Sequence, residues 1–221
     1  KLDKYITRLG EEYEIFYRGI IDELLAHPDR TLEDVAKEHI LQEIPDVTKE
    51  EIRETLGNQV FLDLYVRSYI RGKAVQVLVD YGFKVAVFGD GWDELPCEHP
   101  ENIINGKGVS SEACLKMIAQ AKVSLNVMPW FKDGAHDRVF NTLLNGALLV
   151  SDESIYLKEI LKDGENCILY SLDTIDEMPR KLEMLLKDEK KLQQVIESGY
   201  NTAVAKHTWH ERADFLSELI E

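Results

Sequence analysis

Asp133, His136, Asp137 and Arg138 fall within six consecutive positions of the stretch PWFKDGAHDR (129–138), with Gly134 among them and Trp130 and Lys132 before them. Groups of this kind, packed this densely, suit the capture of an anion. Arg138 and His136 supply positive charge, and the backbone amides from Gly134 to Asp137 supply donors. A helix that begins near Arg138 adds its own unpaired N–H groups and the positive end of its dipole. Phosphate or diphosphate is the ligand class this pattern fits. A positive setting of that kind stabilises negative charge that develops on a departing diphosphate, without a required metal.

These residues need a frame, and the sequence supplies one. From Tyr81 onward short apolar runs recur: FKVAVF (83–88), NII (102–104), VSLNVM (123–128), ALLV (147–150) and CILY (167–170). Helical patterns separate most of them, at 111–121, 138–145 and 155–162, and a further one covers 174–187. Strands that alternate with helices predict a Rossmann-like parallel sheet flanked by helices, its strands buried on both faces. Helical pattern continues from Thr174, read as a cap, to the chain end. The connection from Gly89 to Glu101 shows no clear helix.

In such a sheet the loops that follow strands gather at one edge, where open α/β folds bind ligands. Those loops read GDGW (89–92), NGKGV (105–109), PWFKDGAHDR (129–138) and SDES (151–154). The opposite edge is terse, and its Gly146 and Gly164 read as helix C′ glycines. Gly89, Gly91, Trp92, Lys107, Trp130, Gly134 and Asp137 are therefore the expected ligand contacts, with Asp133, His136 and Arg138 at the reacting centre. Plainer readings stand beside these: a simple turn at Asp133-Gly134, a surface ion pair of Arg138 with Asp137 or Asp133, and core packing for either tryptophan.

Several phosphate motifs fail here. Gly89 and Gly91 start a G-x-G, but Glu94 occupies the third glycine's place. Gly106-Lys107 lacks the rest of a P-loop, and Pro129 stands where a receiver domain would need Asp. Asp90, Asp93 and Glu94 read as a solvated acidic turn, so no metal is expected.

Residues 1–80 form a separate helical segment ahead of the domain at 81–221. Thr31 with Asp34, and Thr48 with Glu51, mark helix starts. From Asn58 to Asp80 a helix is expected, with Val66, Ile70, Ala74, Val77 and Tyr81 on one stripe. Lys and Arg total 26 against 41 Asp and Glu, a net charge of −15, and no basic run occurs. Nucleic acid is excluded as a partner on that ground. Three scattered cysteines, with Cys114 and Cys167 expected to be buried, form no disulfide framework. The expectation is a cytoplasmic protein with neither transmembrane segment nor signal peptide.

The last 140 or so residues resemble the C-terminal, donor-binding half of a two-domain, GT-B-type glycosyltransferase. More narrowly they are similar to the group-1 glycosyltransferase-like domain of spore-maturation proteins. FKVAVFGDGW, the long stretch VSSEACLKMIAQAKVSLNVMPWFKDGAHDRVFNTLLNGALLVSD, and HTWHERA carry the likeness. The resemblance implies a nucleotide-diphosphate sugar as donor substrate and no cofactor. In that family a loop Glu is followed eight positions later by a second Glu. Asp133 and Asn141 match those positions, the first facing donor sugar hydroxyls and the second the ribose. Both depart from Glu, and the amide at 141 weakens a charge-assisted contact. The resemblance also implies an N-terminal acceptor domain, which residues 1–80 do not supply. Either that domain is missing from this chain, which opens at Lys1, or helices replace it. The acceptor, glycan or protein, is not written here. The alternative function is a non-catalytic nucleotide-sugar-binding or structural module of a surface-polysaccharide or spore-coat system.

Overall fold

Capping chemistry sets the first helices where the sequence placed them. The computed structural model describes residues 6–7, 10–57 and 59–220, so the expected helix start at Asn58 and the end at Glu221 lie outside the described residues. The first elements are α1 (Glu11–Ala26), α2 (Leu32–Glu43), α3 (Lys49–Gly57) and α4 (Val60–Tyr81). Thr31 accepts the Asp34 amide at 3.1 Å. Thr48 and Glu51 form a reciprocal box, in which the Thr48 amide donates to the Glu51 carboxylate at 2.8 Å and the Glu51 amide to the Thr48 hydroxyl at 3.3 Å.

The chain forms two compact units, residues 1–73 and 74–221, and the division falls inside α4. In the first unit Ile20, Ile21 and Leu24 of α1, Val35, Ala36 and Ile40 of α2, and Leu62, Val66 and Ile70 of α4 are buried. Ala74 and Val77 continue the α4 stripe, but Tyr81, expected on it, is 47% exposed. Its hydroxyl donates to Glu183 at 3.0 Å, so its polar tip draws it to the surface.

The second unit carries the strands β1 (Val85–Phe88), β2 (Ile103–Gly106), β3 (Val123–Asn126), β4 (Leu148–Asp152) and β5 (Ile168–Tyr170). Every pairing is parallel. The strands form two ladders, β1–β2 with Val85 opposite Ile103, and β3–β4–β5 with Leu125 opposite Val150 and Val150 opposite Ile168. Leu125 of β3 packs into the apolar cluster of Val75, Val79 and Val87, which links the ladders by side chains. The helices are α5 (Ser111–Ile118), α6 (Asp137–Leu144), α7 (Ile155–Ile160), α8 (Met178–Leu186), α9 (Glu189–Lys206) and α10 (Trp209–Ile220). The class is thus α/β, parallel strands flanked by helices, with a helical N-terminal segment.

Burial on both faces holds for β4 and β5, whose residues are all buried. It fails for β1 and β2. The α4 residues Val75 and Val79 cover the face that presents Val87, while Phe88 and Ile104 are 42% and 55% exposed. The larger core joins Met128, Val139, Leu143, Leu149, Leu157, Leu161, Leu169 and Ala203 to Cys167. Burial pushes the Cys167 thiol up to about 12. Cys114, expected in the core, is half-buried, and Ile118 is the residue of its short helix that is buried.

Two local expectations are corrected. Gly146 has φ 72° directly after the α6 C-cap, as a C′ glycine does. Gly164 also has positive φ, but α7 ends at Ile160, and the Gly164 amide closes a turn onto the Cys167 carbonyl at 2.8 Å. Helix 174–187 is broken as well. Ser171, not Thr174, caps a 3-10 segment (Leu172–Glu177), and Thr174 sits at its kink with φ −120°. Pro179, near the start of α8, suits a helix start but has no N–H to donate to a ladder continuing from the preceding segment.

Candidate anion-binding site

The polar residues at the carboxyl ends of β3, β4 and β5 form one connected structure. Asn126, Ser151 and Asp152 are almost completely buried. Buried polar groups persist only when hydrogen-bonded, and these are. Asn126 Nδ2 donates to the Ser151 hydroxyl at 2.9 Å, and the Ser151 hydroxyl donates to the Asp152 carbonyl at 2.9 Å. Both Asp152 carboxylate oxygens accept the Met128 amide, at 2.9 and 3.0 Å, which ties the chain leaving β3 to the end of β4.

From Met128 the loop turns over this edge and is fastened at its far side. The Lys132 carbonyl accepts the Ile155 amide at 2.9 Å, and the Gly134 carbonyl accepts the Ser154 hydroxyl at 2.5 Å. Ser154 in turn caps α7 through the Leu157 amide. A Cβ added to Gly134 would meet only Phe131, at an ordinary 3.4 Å, and its φ is not positive. Nothing in the fold itself demands glycine there.

His136 caps α6. Its Nδ1 accepts the Arg138 amide at 3.1 Å and also lies 2.6 Å from Asp137 Oδ1. One nitrogen cannot serve both partners in one protonation state. A neutral ring with its proton on Nε2 caps the helix, whereas a proton on Nδ1 pairs with Asp137 instead. The amides of Ala135 and Asp137 have no hydrogen-bond partner among the described residues. Two free donors therefore stand at the positive end of the α6 dipole.

Arg138 is the cation of this corner. It forms no ion pair among the described residues, so the plain surface salt bridge is not what it makes. Its Nη1 donates to Asn126 Oδ1 at 3.2 Å. Asp137 turns to His136, and to Asn141 Nδ2 at 3.5 Å. Asp133 is exposed and has no partner among the described residues. A half-buried guanidinium without a counter-ion among the described residues, carried on the first turn of a helix whose leading amides are free, can hold an anion by charge-assisted hydrogen bonds.

The remaining expected contacts stand apart. Gly89 and Gly91 have φ 112° and 88°, so their turn requires glycine for backbone reasons alone. Trp92 packs beside Val75, Val79 and Val87 with part of its surface open, and Trp130 is half-buried. Lys107 is exposed at the end of β2. Trp130 belongs to the loop 129–138 itself, whereas among the described residues no hydrogen bond or ion pair joins Gly89, Gly91, Trp92 or Lys107 to that loop. Sequence reasoning missed Asn126 and read Ser151 only as part of an edge loop. The signal was present: a polar Asn inside the apolar run VSLNVM has to have a buried partner.

Among the described residues no group of three His, Cys, Asp or Glu is placed to hold a metal ion, and no helix is long and apolar enough to cross a membrane.

The sequence profile of the glycosyl transferase-like family matches residues 71–218, about two thirds of the chain, and includes the whole of this site. Among solved structures the chain is similar to the C-terminal domain of a glycosyl transferase group 1 family protein, LpcC, from Francisella tularensis. That likeness has 16% identity and a TM-score of 0.49, covering 65% of this chain and 80% of that one. It is also similar to TarM, at 14% identity and a TM-score of 0.46, covering 67% of this chain and 31% of TarM. No curated protein matches it.

Proposed function

Because the chain belongs to the glycosyl transferase-like family, we propose that its second unit is the donor-binding half of a GT-B-type enzyme, which transfers a sugar from a nucleoside-diphosphate donor to an acceptor. The diphosphate lies against the free amides of Ala135 and Asp137, and Arg138 neutralises it. As the glycosidic bond breaks, negative charge grows on the leaving diphosphate. Donors already fixed at a helix start and a guanidinium already held in place stabilise that charge without reorganising. Asp133 accepts hydroxyls of the donor sugar, and Asn141 reaches the ribose. Trp130 or Trp92 stacks on the base. His136 gives up its cap on the Arg138 amide when a phosphate oxygen takes its place, or adds charge when protonated. A glycine at 134 that the fold itself does not need suits close approach by such a ligand.

The observation that carries this reading is the uncompensated Arg138 guanidinium at the start of α6. In a chain of net charge −15, a half-buried cation that has no carboxylate partner among the described residues calls for an anion from outside. A second reading, a module that binds sugar nucleotides without transferring sugar, is favoured by one feature. Asp133 and Asn141 stand where the group-1 pattern has two glutamates.

Thermal shift against UDP, GDP, ADP and their sugars tests both readings. A ligand at 100 times its dissociation constant adds about 2.7 kcal/mol of stability. We expect at least one nucleotide to raise the midpoint, and Asp133→Ala to weaken binding of the sugar nucleotide more than of the free diphosphate. Absence of any shift rejects the donor site. A shift with no sugar transfer or donor hydrolysis selects the binding module.

A further inference from the structure

The side-chain amide of Asn126 has an orientation that its neighbours dictate. The Ser151 hydroxyl spends its proton on the Asp152 carbonyl, so towards Asn126 it can only accept, and Nδ2 must face it. That turns Oδ1 the other way, to the Arg138 guanidinium at 3.2 Å. Tyr170 adds a contact from β5, its hydroxyl donating to the Asn126 main-chain oxygen at 3.4 Å. Asn126 is 0% exposed, so water does not compete for these bonds.

A carboxylate of the same shape would be the ordinary partner for a half-buried guanidinium. It would also form an ion pair and cancel the charge. This chain has 41 acidic residues, yet it places a neutral amide at this position. We propose that Asn126 is a positioning residue that holds the Arg138 guanidinium at the start of α6 while leaving its charge available to an incoming diphosphate. The inference rests on the reading that Arg138 grips the donor. Asn126 itself touches no substrate. It acts through the direction in which Arg138 points and through the charge that Arg138 keeps.

Calorimetric titration with inorganic pyrophosphate, UDP, GDP and ADP tests this. The proteins are the wild type, Asn126→Asp, Arg138→Ala and the double variant, each with its melting temperature recorded. Hydrogen bonds to charged groups are worth enough that Arg138→Ala should lose roughly 10- to 100-fold in affinity. Asn126→Asp should lose a comparable factor, because its carboxylate pairs with Arg138 and cancels the charge. The loss of the donor towards Ser151 should lower its melting temperature as well. The double variant should lose no more than Arg138→Ala alone, because both changes remove one interaction. A merely structural role for Asn126 would instead add its loss in affinity to that of Arg138. Should Asn126→Asp fail to fold, Ser151→Ala frees the amide to flip and should weaken pyrophosphate binding several-fold.

If Arg138→Ala weakens binding while Asn126→Asp or Ser151→Ala binds as the wild type does, the positioning role is wrong and the donor site stands. If Arg138→Ala binds as tightly as the wild type, or the wild type binds none of the four probes, the donor site is wrong and the role of Asn126 falls with it.

Discussion

The imidazole of His207 lies almost flat on the ring of Phe140, with centroids 4.8 Å apart and planes 23° from parallel. Phe140 belongs to α6, the helix that starts at the anion-binding corner, and His207 closes α9. Arg212 completes the junction, donating to His207 Nδ1 and to the Tyr156 hydroxyl, each at 2.9 Å. The C-terminal helices are thereby joined to the element that presents Arg138.

That junction is sensitive to acid. Burial, and then the charges of Arg212 and Lys206, hold the His207 imidazole below its ordinary value. The unfolded chain therefore takes up the proton first as pH falls. The stability contributed by neutral His207 is fully present above about pH 6.5, the unfolded value, and is lost as pH falls from there through the folded value. Urea unfolding at pH 7.5 and 5.5 should show lower stability at the acid end, and His207→Phe should remove part of that difference. An unchanged pH difference in the variant would show that His207 plays no part.

Gly199 sits in mid-helix, where alanine ordinarily stabilises by up to about 1 kcal/mol. Here a Cβ would lie 2.5 Å from the Asn166 carbonyl oxygen and 2.8 Å from Leu143 Cδ2. The close approach of α9 to the turn before β5, and to α6, depends on the missing side chain. Gly199→Ala should destabilise by about 1–3 kcal/mol as an overpacked contact. A gain in unfolding free energy would show that the backbones can separate at no cost.

Asp152, 1% exposed, fixes the first turn of the site loop through the Met128 amide. Asp152→Ala leaves that buried donor unsatisfied and should cost about 1–3 kcal/mol. Asp152→Asn keeps an acceptor and should cost less. Hydrogen exchange at Met128 checks the mechanism, since the amide should exchange faster in Asp152→Ala. An unchanged rate would place the effect elsewhere.

Much of the frame was legible because period and punctuation agree in it. Apolar runs near Val85, Val123, Leu148 and Ile168 became strands, and Thr31, Thr48 and Gly146 punctuate helices as their chemistry predicts. What misled was context that acts across space. Gly164 has the positive φ expected of a C′ glycine, yet it serves a turn, because α7 stops four residues earlier. Tyr81 continues an apolar stripe but has a hydroxyl that a distant glutamate draws outward. The loop 129–138 was identifiable from its residue types. Its partner Asn126 lies in another element, and only the strand register, with Asn126 opposite Ser151, brings the two together.

The most direct measurement is the electron density of crystals soaked with UDP, GDP or ADP. The account predicts phosphate oxygens within hydrogen-bond distance, about 3 Å, of the Ala135 and Asp137 amides and of the Arg138 guanidinium, with Asn126 still holding that guanidinium from behind. Nucleotide bound elsewhere on the chain, or none bound while this corner stays as it is, would contradict it.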